Sequence, residues 1–377
     1  MTTIDTAEVS GSEGIAPAIE RKARQATLLI DGDIHPSYSV DDIKPWLDPA
    51  VFARVKEFGL HAHAESYPRV RNGGGRLDSR PGEQEGTPLS MFQRQLLDEY
   101  KERIGVLIPM GGHHWGRERD DLAVPMCTAL NEFMVHEWLD LEPRFFCTLQ
   151  VPMEHPKAAV AEIERYKNDK RFVQILMSGH QEAEIGDQKY WPIYEAAADA
   201  GLPLGVHHGN DPRGRHGTGY PSYYIHEHVG YAYTLTALAL SMITEGVFEE
   251  FPKLQVVSIE AGISWATGLQ WEMDTTYEML GREQPRLKAR PSEYFREHFW
   301  FTTQPIEEPD NPDDLMESYK LTGVLDRIMF SSDYPHWDFD APDRSLPTSL
   351  TKEQREAILG ENACRCYGID VLTGTRL

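Results

Sequence analysis

Short apolar runs, each about one strand long and separated by helical patterns, constrain this chain more than any other feature. They occupy residues 27–30, 104–109, 144–151, 172–177, 202–206, 254–259, 298–302 and 327–330. Val, Ile, Leu and Phe dominate them, the pattern of strands buried on both faces. Helical patterns fill most of the gaps, at 91–102, 125–139, 156–167, 191–200 and 231–246. Eight strands alternating with helices predict an α/β fold, a closed (β/α)8 TIM-type barrel. An open doubly wound sheet is the alternative, but no Gly-rich phosphate loop follows the first strand.

A chain of 377 residues suits one such barrel, predicted over 27–377. The first 26 residues are acidic and rich in small side chains, and are expected to form a flexible N-terminal tail. They lack the basic start and apolar segment of a signal peptide. Residues 59–88, with Gly73, Gly74 and Gly75 in succession, form a long insertion before the second strand, to be read as a lid or a surface loop. Residues 209–224 leave the fifth strand on the face where barrel enzymes bind substrate. The net charge of −23 argues against a nucleic-acid partner. No apolar run is long enough to cross a bilayer, and the expected location is the cytoplasm. The four cysteines, Cys127, Cys147, Cys364 and Cys366, are expected to be reduced and structural.

The chemistry gathers at strand ends. The first run leads into Asp31-Gly-Asp33-Ile-His35-Pro, where Asp33 and His35 point the same way in an extended chain. The fifth ends in His207-His208, the sixth in Glu260 and the eighth in Ser-Ser-Asp333-Tyr-Pro-His336-Trp337. A lone residue of these types is commonly a satisfied core histidine or a helix-capping acid. Four strands ending in Asp, Glu or His on one barrel face predict instead a shared divalent cation, which removes the cost of burying the carboxylates.

From 28 onward the chain resembles the amidohydrolase-related family, of the aminocarboxymuconate-semialdehyde-decarboxylase-like kind. Residues 31–36, 251–265 and 330–340 carry the resemblance, supported by 291–305 and 362–368. It implies a distorted (β/α)8 barrel with Asp33, His35, His207 and Asp333 as metal ligands. Asp33 stands where His or Glu is commoner, and Glu260 where many members have His. Glu260 adds a third carboxylate, which favours Mn or Fe and allows two bridged ions. His228, in Tyr-Tyr-Ile-His-Glu-His, is a candidate further ligand.

Glu260 and the Ser-Ser-Asp-Tyr-Pro-His-Trp-Asp stretch resemble a branch of dinuclear non-haem hydroxylases that includes aminoisobutyrate hydroxylase. That resemblance implies an O2-dependent monooxygenase with Fe/Mn, in which Asp333, Glu260 and His336 are catalytic. The alternative is metal-assisted hydrolysis or non-oxidative decarboxylation at one Zn or Mn ion, with Asp333 as base. A third reading is a metal-binding subunit of a hetero-oligomer. Arg213, Arg215, His113 and Trp337 are candidate contacts to a small substrate, a carboxylic or amino acid. Helices with apolar outer faces, such as 231–243, predict a homo- or hetero-oligomer.

Overall fold

A computed structural model describes residues 28–59, 74–76, 78–79, 86–101, 104–179, 181–208, 222–370 and 373–377. The expected tail, 1–26, lies outside the described residues. Eight strands form one parallel sheet in sequence order. They are β1 (Ile30–Ile34), β2 (Ile104–Leu107), β3 (Phe145–Gln150), β4 (Phe172–Ser178), β5 (Leu204–His207), β6 (Val256–Ile259), β7 (Phe299–Thr302) and β8 (Ile328–Met329). Backbone bonds from Gly32 N–H to Phe330 O (2.9 Å), His35 N–H to Tyr334 O (2.7 Å) and Asp333 N–H to Asp33 O (3.1 Å) join the two ends of the sheet. The expected (β/α)8 barrel is the fold found.

The larger helices are α1 (Pro49–Phe58), α2 (Asp120–Met134), α3 (Pro156–Tyr166), α4 (Trp191–Ala200), α5 (Tyr224–Thr244), α6 (Trp265–Leu280), α7 (Pro291–His298) and α8 (Pro312–Thr322). Two starts precede their sequence signals. α2 begins at Asp120, where Asp120 and Asp121 suit the positive helix end, and Pro125 lies inside it. α5 begins at Tyr224 rather than near 231, which places His226 and His228 on a helix.

Two apolar clusters divide the core. Ile30, Ile104, Val106, Val173, Val257, Ile259 and Met329 belong to one, drawn from strands all round the sheet. Ile34, Leu107, Cys147, Ile175 and Val206 belong to the other, with the apolar faces of the helices. In β2 successive residues thus alternate between barrel interior and helix layer, as strand geometry requires, whereas β4 loses the alternation between Val173 and Ile175, beside its register shift against β3. β1 also breaks the alternation: its register against β2 shifts between Asp31 and Ile34. The shift sends Ile34 outward although Ile30 points inward.

The described parts of the 59–88 insertion lie against the loop after β8. Gly75 bridges to His336, Trp337 N–H donates to Gly74 O at 2.7 Å, and Arg76 N–H donates to Pro335 O at 2.8 Å. The Arg76 guanidinium sits 4.6 Å from the Phe339 ring centre. This part of the insertion therefore borders the mouth of the barrel. All four cysteines are free.

Candidate metal centre

The site grows from the carboxyl ends of β1, β5, β6 and β8. His35 Nδ1 lies 2.9 Å from Ile108 O. A carbonyl only accepts, so Nδ1 carries hydrogen and Nε2 faces the site. That atom lies 2.9 Å from Asp33 Oδ1 and 3.0 Å from Asp333 Oδ1. His207 closes β5, with Nε2 2.9 Å from Glu260 Oε2. His208 Nε2 lies 3.0 Å from the same oxygen, and its ring stacks on Tyr231 with centres 3.4 Å apart. His336 Nδ1 is 2.5 Å from Asp333 Oδ1.

Glu260 and Asp333 have φ of 56° and 59°. Side chains other than Gly seldom adopt this left-handed region, and where they do the site often depends on it. Here the turn swings each carboxylate off its strand and over the barrel end.

Donor atoms fall into two overlapping groups, each with all its atoms within 4.8 Å of one another: Asp33, His35, His207 and Glu260, and His35, Glu260, Asp333 and His336. Asp33, Asp333 and Asp31 are fully buried, and Glu260 and His35 nearly so. Asp33 Oδ2 and Asp333 Oδ2 have no hydrogen-bond partner among the described residues. Burying carboxylate oxygens unpaired is costly, and a divalent cation relieves that cost. Oxygen and imidazole donors suit Mn, Fe or Zn. The residues present therefore fit a divalent ion.

The metal-free electrostatics show how tightly these groups depend on one another. Burial opposes charge on His35, yet Asp33 and Asp333 outweigh it and hold the imidazole well above its usual range. Burial likewise opposes charge on His336, and Asp333 overcomes it. Burial, then Glu260, pushes Asp333 up. Glu260 is held well down, because His208 and His207 outweigh its burial. Burial lifts Asp31 to about 7 against hydrogen bonds from Ser332. Asp31 Oδ1 accepts from the N–H groups of Asp33 (3.2 Å) and Ser332 (2.9 Å), so it braces the turn between β1 and the β8 loop.

The structure thus brings Asp33, His35, His207, Glu260, Asp333 and His336 together. It sets His228 apart: its Nε2 lies 2.8 Å from Asp338 Oδ2, and it joins neither donor group. The physical reason is that α5 begins about two turns before its apolar pattern and carries His228 to the rim. Trp337 is at the rim too, half exposed, donating Nε1–H to Tyr224 at 3.1 Å. Arg213 and Arg215 lie outside the described residues, as does the side chain of His113. Sequence reasoning missed two participants. His208 was visible only as the second of a His-His pair. Gln304, which donates to Asp338 Oδ2 at 2.9 Å, follows β7, a strand with no ionisable residue at its end.

The chain is 26% identical over 260 residues to gamma-resorcylate decarboxylase of Rhizobium sp. (strain MTP-10005), covering 66% of this chain and 77% of that one. The structure resembles dihydroxybenzoic acid decarboxylase from Polaromonas sp. JS666 with bound manganese and the inhibitor 2-nitroresorcinol (TM-score 0.63, 18% identity, 91% of this chain and 97% of that one). It also resembles 5-carboxyvanillate decarboxylase from Novosphingobium aromaticivorans DSM 12444 complexed with manganese and a nitrobenzoic acid (TM-score 0.68, 17% identity, 92% and 97%). The amidohydrolase family profile matches residues 30–369, nearly the whole barrel, and the chain belongs to the amidohydrolase family.

Proposed function

We propose that this protein is a metal-dependent, non-oxidative decarboxylase of a small aromatic carboxylic acid. The observation that carries the reading is the likeness, over 66% of the chain, to gamma-resorcylate decarboxylase. The buried donor set at the barrel mouth supports it. Asp33, His35, His207 and Asp333 would hold one divalent ion of the Mn type, with Glu260 beside them. The ion, when bound, supplies Lewis-acid polarisation of the substrate. Loss of CO2 leaves the bonding electron pair on a ring carbon, which must take up a proton. His336 would deliver it, a role that its contact with Asp333 supports. Glu260, anchored by two imidazoles, would accept a hydrogen bond from a ring hydroxyl of the substrate and orient it.

One observation favours the second reading, O2-dependent hydroxylation at a dinuclear Fe/Mn site: the donors form two groups sharing His35 and Glu260. Metal analysis, CO2 release from 2,6-dihydroxybenzoate and related acids, and oxygen uptake separate the two. The decarboxylase reading expects about one Mn per chain, CO2 release without oxygen uptake, and loss of both metal and activity in Asp333→Asn. Two Fe or Mn ions per chain, with oxygen consumed and no CO2 released, would overturn it in favour of the hydroxylase.

A further inference from the structure

Above the metal centre, α5 and the loop after β8 face each other across an aromatic rim. Trp337 and Tyr224 join them by a hydrogen bond, with ring centres 6.4 Å apart. His228 lies among these rings, its centre 5.9 Å from Trp337, 5.8 Å from Tyr224 and 5.3 Å from Tyr231. Tyr231 in turn stacks on His208, which touches Glu260. One chain of contacts therefore runs from the rim to the metal donors.

The His228 ring is fixed from below. Asp338 Oδ2 takes Nε2 at 2.8 Å and also accepts from Gln304 Nε2 at 2.9 Å. No hydrogen bond among the described residues reaches Nδ1, the other polar atom of the ring. The His228 side chain is 19% exposed and packs beside Trp337, which is itself half exposed. An imidazole seated on a carboxylate favours its charged form, and both its nitrogens then donate.

We propose that His228, framed by Trp337 and Tyr224, is a substrate-binding residue that selects aromatic acids bearing a second anionic group on the ring edge away from the metal. The inference rests on the decarboxylase reading for its substrate class. The carboxylate to be lost belongs at the metal donors, so a planar ring extending from there meets the aromatic rim. Flat rings pack on Trp and Tyr faces. The substituent farthest from the metal then meets Nδ1–H of His228, and a charge-assisted bond forms only if that substituent is an acceptor, best a carboxylate. Asp338 and Gln304 act as positioning residues. They hold the ring and touch no substrate.

The test uses the Mn-loaded full-length protein and two probes, 2-hydroxybenzoate and 4-hydroxyisophthalate, which is the same acid carrying a second carboxylate opposite the hydroxyl. Binding is measured by calorimetry, independent of turnover. Wild type should bind the dicarboxylate about tenfold or more tighter. His228→Gln should erase that preference, read as the ratio of the two affinities, with the metal content unchanged. Asp338→Asn should reduce the preference and shift its pH dependence to lower pH, an effect that a purely structural role would not produce. Equal affinities in wild type, a preference that survives His228→Gln, or loss of metal in that variant would each overturn the assignment. CO2 release, followed on the same samples, tests the decarboxylase reading separately, because binding is read without turnover.

Discussion

Individual carboxylates carry the largest local costs in this molecule, and not all of them belong to the metal centre. Asp340, behind the rim, accepts from Ile306 N–H at 3.3 Å. Burial lifts its carboxyl to about 7, with Asp338, Glu308 and Asp333 adding to the rise. A carboxyl raised in the folded state binds its proton more tightly there than when unfolded. Its contribution to stability is fully present below about pH 4 and is lost as pH rises through about 7. Asp340→Asn should therefore melt at about the wild-type temperature near pH 4 and above it at pH 8, in metal-free thermal unfolding at each pH. A variant less stable than wild type at pH 8 would show that the ionised carboxylate is needed. At this scale the sequence was informative about which residue types meet, but not about which of them are strained. The left-handed backbone of Glu260 and Asp333 leaves no mark in composition, because most left-handed turns are filled by Gly and these are not.

Among the elements, β1 decides the geometry of the site. Its register shift turns Ile34 outward against β2 and leaves Asp33 and His35 on either side of it. Gly105 of β2 has no side chain because there is no room for one. A Cβ there would lie 2.5 Å from Ile34 Cδ1 and 2.9 Å from Phe145 Cε1. Gly105→Ala should push Ile34 and cost about 1–3 kcal/mol by overpacking. It should also weaken Mn binding, since the ligands flank the displaced residue. Urea unfolding and a Mn titration check both effects; unchanged stability together with unchanged metal affinity would show that β1 absorbs the extra methyl group. The bulge was not legible in Asp-Gly-Asp-Ile-His, which reads equally as a straight strand or a turn. The helix starts were misjudged for a related reason. Apolar periodicity marks the buried face of α5, whereas its first two turns leave Ile225 and Val229 exposed and interleave them with His226, Glu227 and His228.

For the whole molecule, the apolar core and the metal centre are separable. The core runs round the barrel and between barrel and helices, while the donors sit at one end. Removing metal with a chelator should therefore leave a cooperatively unfolding barrel, in contrast to small domains that fold only around their ion. Adding Mn back should raise the melting temperature by mass action. The affinity should rise with pH, because Asp33 and Asp333 favour the charged form of His35 without metal, and a ligand imidazole must be neutral. Calorimetric titrations at two pH values in buffers of different ionisation enthalpy read the proton release. Metal binding that weakens on going from pH 6 to pH 8 would contradict the arrangement.

The amino-acid sequence alone determined the eightfold alternation of strand and helix, the barrel class, and the residues that end strands one, five, six and eight. These are local facts: which side chains are apolar, at what period, and which polar residue closes each run. Only the tertiary structure decided which of those ends converge. It placed His208 on Glu260 and His336 on Asp333, moved His228 from the metal to the rim beside Asp338, and laid the described part of the 59–88 insertion against His336. Each depends on distances between segments far apart in the chain. Those distances are set by barrel closure and packing, which no local pattern encodes.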